Sequence, residues 1–228
     1  MFFFDSGFIL LVLPAMAFAL YAQSKISSTY AHYSRLFSRS RMTGGQIART
    51  LLDAAGMEGV PVEVTEGHLT DHYDPRAKVV RLSSEIYRNG SLAALGIAAH
   101  EVGHAIQHDT DYAPLGIRNA IFPLAGFGSR AALPLFFIGL LFSGSMGFLM
   151  DVGIALFLFA VFFQTITLPV ELNASSRALA LLGDGGFLEG EELAGAGKVL
   201  RAAALTYVAA LAVAIAQLLR LLMLRGRR

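Results

Sequence analysis

The chain has 228 residues, 55% of them hydrophobic and 15% charged, with a formal net charge of +1 and no cysteine. Soluble domains carry about 25% charged residues, so the balance points to a membrane protein. The missing cysteines exclude disulfides, thiolate metal ligands and cysteine nucleophiles. The near-neutral charge argues against a nucleic-acid partner.

The stretch between Asp5 and Lys25 is free of charge and long enough to cross a bilayer. Ala17-Phe18-Ala19 has the look of a signal-peptide cleavage site, but no basic residue precedes the apolar run, as a secretory signal requires. Lys25, Arg35, Arg39 and Arg41 follow it instead, the pattern of a retained anchor with its C-terminal side in the cytoplasm. Residues 1–24 are therefore read as an N-terminal transmembrane anchor.

Residues 25–118 hold the sizeable polar segment, read as one domain. Thr43-Gly44-Gly45 precedes a helical pattern through Ile47, Leu51, Leu52 and Ala55 that stops at Gly56. Val60 to Val64 reads as a short strand and Lys78 to Leu82 as a second, with β-branched residues in both. Between them, Gly67 to Arg76 reads as a loop rich in Gly, Asp, His and Pro. Ser83 or Ser84 caps a short helix with Glu85 in its first turn, and Ser91 opens a longer helical pattern through Leu95, Ala98, Val102 and Ala105. The strand Lys78 to Leu82, if it is an exposed edge, offers a place for an extended peptide to pair; an internal position would remove that edge.

Residues 119–170 read as a transmembrane hairpin. Gly144, Ser145 and Gly147 mark its turn, which places Arg130 inside the second span, facing protein or snorkelling; Asp151 is the rival turn marker. Residues 171–200 form a second polar island that begins helical and breaks at Gly183-Asp184-Gly185-Gly186. Residues 201–228 read as a C-terminal transmembrane or interfacial helix. Four spans starting outside would return the C-terminus to the outside, whereas the basic tail Arg225-Gly226-Arg227-Arg228 prefers the cytoplasm. Either the last segment does not cross, or the first charge cluster dominates the tail.

The chemistry lies in His100-Glu101-Val102-Gly103-His104, an H-E-x-x-H sequence on a predicted helix. Residues four apart project from one helix face about 6 Å apart along the axis, so both imidazoles reach one Zn2+. Glu101 then stands beside the metal, able to take a proton from an activated water and deliver it to the leaving amine. Glu101 is the catalytic candidate, and a catalytic zinc needs a third protein ligand. His108 continues the four-residue spacing but stands about 12 Å from His100 along the axis, too far to share the ion. The metzincin pattern fails as well, since Thr110 occupies the position of its last histidine. Glu171, at the edge of an apolar span, competes with Asp109 and Asp111 for the place; the plainer reading of Glu171 is an acidic helix start after Pro169.

The chain resembles the YugP-like neutral zinc metallopeptidases of bacterial membranes over nearly its full length. The resemblance rests on Thr70-Asp71-His72-Tyr73-Asp74-Pro75-Arg76, Arg81-Leu82-Ser83, Ala98 to Gln107 and Leu168-Pro169-Val170-Glu171-Leu172-Asn173-Ala174-Ser175. More distantly it resembles HtpX-like gluzincin proteases, in which a later helix supplies a glutamate from an E-x-x-A-D pattern. Glu171 and Ala174 match that pattern and Ser175 stands in place of its aspartate. The resemblance implies Glu171 as third ligand and peptidase activity, without a substrate. Asn173 or Asp109 is then a candidate to orient a ligand histidine. His72 and Tyr73 are candidate donors to an oxyanion, against a plainer role in a turn built by Asp71, Asp74 and Pro75.

The expected fold is mainly α with a small β element, a multi-span membrane protein carrying a zincin-like α+β catalytic domain. The expected function is a zinc metallopeptidase acting on membrane or membrane-adjacent proteins, sited in the bacterial inner membrane with its catalytic domain cytoplasmic. Expected partners are protein or peptide substrates, the bilayer, and a membrane-protein partner or second copy. Sharing one zinc between the motif helix and Glu171 would set the site at the membrane surface. Two other classes compete: a non-catalytic zinc-stabilised membrane scaffold, and a transporter using Arg130, Asp151 and Glu171 as intramembrane polar groups.

Overall fold

The computed structural model describes residues 5–226; the first residues of the anchor and Arg227 and Arg228 of the basic tail lie outside them. The protein is mainly helical, with one three-stranded sheet. A π-helical turn, Phe8–Val12, leads into α1 (Leu13–Tyr33). Next come α2 (Gly44–Ala54), β1 (Val62–Thr65), β2 (His72–Asp74), β3 (Val79–Ser83), α3 (Ser84–Arg88) and α4 (Leu92–Asp109). The chain closes with α5 (Ala113–Leu141), α6 (Ser143–Met146), α7 (Phe148–Asp184) and α8 (Gly190–Gly226). Four helices, Phe8–Tyr33, Ala113–Leu141, Phe148–Asp184 and Gly190–Gly226, are long and apolar enough to cross a membrane. The hairpin turns at α6, among the Gly and Ser residues that predicted it, and Asp151 lies in the first turn of α7, where it pairs with Arg225 at 2.9 Å.

The helices run further than the charge-free windows suggested. Charged residues interrupt an apolar window without interrupting a helix, because Arg, Lys and Glu are good helix formers. Both α7 and α8 thus carry polar extensions of the apolar stretch.

The chain divides into two units. One comprises Met1–Gln23, Ala113–Pro169 and Leu205–Arg228. Its core joins Ala132, Phe136, Leu140, Met150, Ile154, Phe157, Leu221 and Leu224. Glycine allows α5 and α7 to approach closely there: a Cβ on Gly153 would lie 2.6 Å from the Ala132 carbonyl oxygen, and one on Gly139 2.5 Å from the Met150 nitrogen. Arg220 and Asp5 pair at 2.8 Å in the same unit.

The other unit comprises Ser24–Tyr112 and Val170–Ala204 and holds every residue of the candidate site. Thr43 caps α2 in a full capping box with Gln46, which satisfies donors at both ends of the exchange. The apolar stripe predicted for this helix, Ile47, Leu51 and Leu52, is buried against Leu82, Ile86, Leu95 and Val102. Gly56 ends the segment at φ +72°, a conformation glycine adopts without strain. Ser91 caps α4 by accepting from the Ala94 N–H at 3.2 Å.

The sheet order is β1-β3-β2, with β1 parallel and β2 antiparallel to β3. Lys78 to Leu82 therefore belongs to the central strand, and the idea that it offers a free edge is corrected. The loop reading of Gly67 to Arg76 needs a correction too: His72–Asp74 is a strand, registered Tyr73 to Val80. Three residues flanked by turn formers carry no period-two signal, so only pairing with β3 reveals them. Ser83 faces α3 as its N-cap residue, but its side chain and N–H both turn to Asp71, the N–H at 2.7 Å.

Candidate metal centre

Helix α4 presents the H-E-x-x-H residues, and α7 meets it with Glu171. The close approach has a local cause. A Cβ on Gly103 would lie 2.6 Å from the Ala174 carbonyl oxygen, so only glycine permits this spacing of the two backbones. Ala174 is fully buried opposite it. The glycine inside the motif thus sets how near Glu171 comes to the two histidines.

His100 Nε2 lies 3.2 Å and His104 Nε2 3.5 Å from the same Glu171 oxygen. One ligating atom from each of the three residues falls within 4.8 Å of the others. Two ligands at zinc-bond length and the tetrahedral angle stand about 3.3–3.4 Å apart. The donor set, two imidazoles and one carboxylate, is that of a catalytic zinc with one position left for water or substrate. The residues present fit the ion in chemistry and in spacing.

The far sides of both rings are occupied. His100 Nδ1 is 3.1 Å from the Ser175 hydroxyl, and His104 Nδ1 is 3.0 Å from Gln107 Oε1. With Nδ1 engaged, each ring turns Nε2 toward Glu171. Ser175, the departure from the HtpX-like pattern, does meet one of the two motif histidines, His100. Asn173 approaches His104 only through Gln107, whose amide nitrogen donates to Asn173 Oδ1 at 2.9 Å. Asp109 lies at the C-terminal end of α4, lining a cavity of about 510 Å3 with Tyr73, His108 and Asp111.

Glu101 is buried, and burial pushes its carboxyl up to about 7. The charges of Glu171 and Asp71 act in the same direction, while His100 and a hydrogen bond from the Tyr73 backbone oppose them. A carboxyl near neutrality both accepts and returns a proton readily. The Tyr73 ring turns away from Glu101: its phenol hydrogen-bonds His108 Nδ1 at 2.8 Å. His72, exposed on β2, donates Nδ1–H to the Thr70 carbonyl at 2.8 Å. His108 is thus joined to Tyr73 and lies outside the three-ligand cluster.

Sequence reasoning singled out neither Gln107 nor the backbone of Tyr73. Gln107 follows His104 by three residues on one helix, a spacing that puts the two side chains on one face; that signal was present. Tyr73 was visible only as a ring, because backbone groups carry no sequence signature.

Comparison with known proteins points to a zinc-peptidase family. Residues 8–226 match the family model described as "Putative neutral zinc metallopeptidase". The chain is 49% identical over 222 residues to a protein of Bacillus subtilis (strain 168) named "Putative membrane protease YugP", covering 96% of this chain and 98% of that one. No solved structure matches the chain.

Proposed function

This chain belongs to the neutral zinc metallopeptidase family, and from that premise we propose that it hydrolyses peptide bonds in membrane or membrane-adjacent proteins. His100, His104 and Glu171 hold zinc in this proposal, and Glu101 moves the proton. The observation that carries it is the convergence of the two Nε2 atoms on one Glu171 oxygen at 3.2 and 3.5 Å, with buried Glu101 next to His100. Zinc held by these three residues would supply Lewis acidity toward a carbonyl oxygen and a water. Glu101 accepts the water proton and returns it to the leaving amine. Its own burial keeps bulk water from competing for that proton.

The substrate backbone has a place to lie. β2 pairs with β3 on one side and packs against α4, the helix that carries Glu101. The β2 edge thus borders the catalytic carboxylate. An extended peptide adding to that edge would bring its scissile bond to Glu101, with main-chain hydrogen bonds giving affinity and little sequence preference. The four apolar helices and the basic cluster after α1 support a bacterial inner-membrane location with a cytoplasmic catalytic unit.

The test compares the full-length protein with Glu101→Gln, measuring bound zinc and cleavage of casein and of a transmembrane substrate. The variant should keep its zinc and lose about 100-fold or more of its cleavage rate, the range for a removed general acid–base. Full activity in the variant would refute the mechanism. Bound zinc without cleavage even in the wild type would instead favour a zinc-stabilised scaffold.

A further inference from the structure

The hydrogen bonds behind His104 form a directed chain, and their directions can be assigned from chemistry alone. Arg177 Nε lies 2.9 Å from Asn173 Oδ1. A guanidinium only donates, so the Asn173 atom facing it is the oxygen. Gln107 meets that oxygen at 2.9 Å and the Val170 carbonyl at 2.8 Å. Both are acceptors, so the Gln107 group facing them is the NH2, with its two protons used. Its carbonyl oxygen is left facing His104 at 3.0 Å. An amide oxygen only accepts, so the proton of that bond sits on His104 Nδ1. Nε2, on the Glu171 side, is then the nitrogen whose lone pair is free for a metal.

We infer that Gln107, oriented by Asn173 and Arg177, is a positioning residue that locks His104 in its metal-binding tautomer and ties helix α4 to the turn of α7 that carries Glu171. The inference rests on the zinc reading above and extends it to a residue outside the ligand set. Gln107 is fully buried, and its hydrogen bonds leave neither end of the amide unpartnered. Flipping the amide would set its oxygen against the Val170 carbonyl, so the lock has one orientation. Val170 immediately precedes Glu171, and the bond therefore fixes the third ligand's backbone together with the ring of the second. His100 has no such lock. Its partner is the Ser175 hydroxyl, which rotates and both donates and accepts.

The experiment uses full-length protein in detergent micelles, with zinc as the probe. Zinc affinity is measured by competition with a chelator, and the ring nitrogens of 15N-labelled histidine are followed by NMR. Gln107→Met keeps the side-chain length and removes the amide. It should bind zinc about 10–100-fold more weakly, the usual cost of removing an outer-shell partner, and lose the protected Nδ1–H signal of His104. Gln107→Met with wild-type zinc affinity overturns the inference. So does weakened affinity with an unchanged His104 signal, because the loss then comes from packing. If Gln107→Met does not fold, Asn173→Leu removes the group that orients the amide, and its His104 signal decides in the same way. Wild-type protein that takes up no zinc fails at the earlier step and refutes the metallopeptidase reading itself.

Discussion

Both units bring two helices together through glycine, and the two contacts have different contents. In the unit built from α5 and the first part of α7, Gly128, Gly139 and Gly153 face Leu156, Met150, Ala132 and Phe136, and the surroundings are apolar. In the other unit, Gly103 faces Ala174, and the same narrow seam carries His100, His104, Gln107, Glu171 and Ser175. Close backbone approach is therefore a scaffold device common to both. Chemistry arises where the seam is lined with polar groups that satisfy one another, since a buried polar group without partners is costly. The distinction can be broken or sharpened residue by residue.

The largest effect should come from Glu171→Ala, which deletes the carboxylate that both Nε2 atoms face. Zinc binding by chelator competition should fall by more than the roughly 10–100-fold expected for an outer-shell partner. Retained tight zinc would move the third ligand elsewhere. Gly103→Ala comes next. Its methyl meets the Ala174 carbonyl, so it should destabilise the protein by about 1–3 kcal/mol as overpacking does, and it should lower zinc affinity too, because α7 must move away from α4. Thermal unfolding together with zinc titration reads both. Gly153→Ala is the control for that pair. It should produce a similar loss of thermal stability, while zinc affinity and cleavage stay at wild-type values; a loss of zinc here would erase the contrast between the two seams. Smallest of all should be Asp151→Asn, which removes an exposed ion pair with Arg225. Exposed pairs contribute little, so zinc content and cleavage should match the wild type. A clear loss of function there would revive the transporter reading.

How far the site was legible follows from sequence separation. His100, Glu101 and His104 lie within one turn and a little more of one helix, where spacing dictates facing, so the motif could be read directly. Glu171 meets His100 across 71 positions, and Ser175 meets the same ring across 75. No local pattern spans such distances; Glu171 led its rivals Asp109 and Asp111 only as a carboxylate at the edge of an apolar span, until a family resemblance favoured it. Gln107 lay in between. Its spacing from His104 was readable, but its bonds to Val170 and Asn173 cross 63 and 66 positions. Strand β2 was missed because three residues among turn formers pair only once β3 is in place.

The sequence by itself determined a helical membrane protein, the two histidines and the glutamate of one helix, and the unsuitability of His108. Each follows from local rules of length, hydropathy or helical pitch. Tertiary structure decided the rest: which carboxylate faces the histidines, which strand owns the sheet edge beside Glu101, and which groups hold the far side of each imidazole. Those answers depend on how closely two backbones approach, and at Gly103 that distance is set by a side chain that is not there.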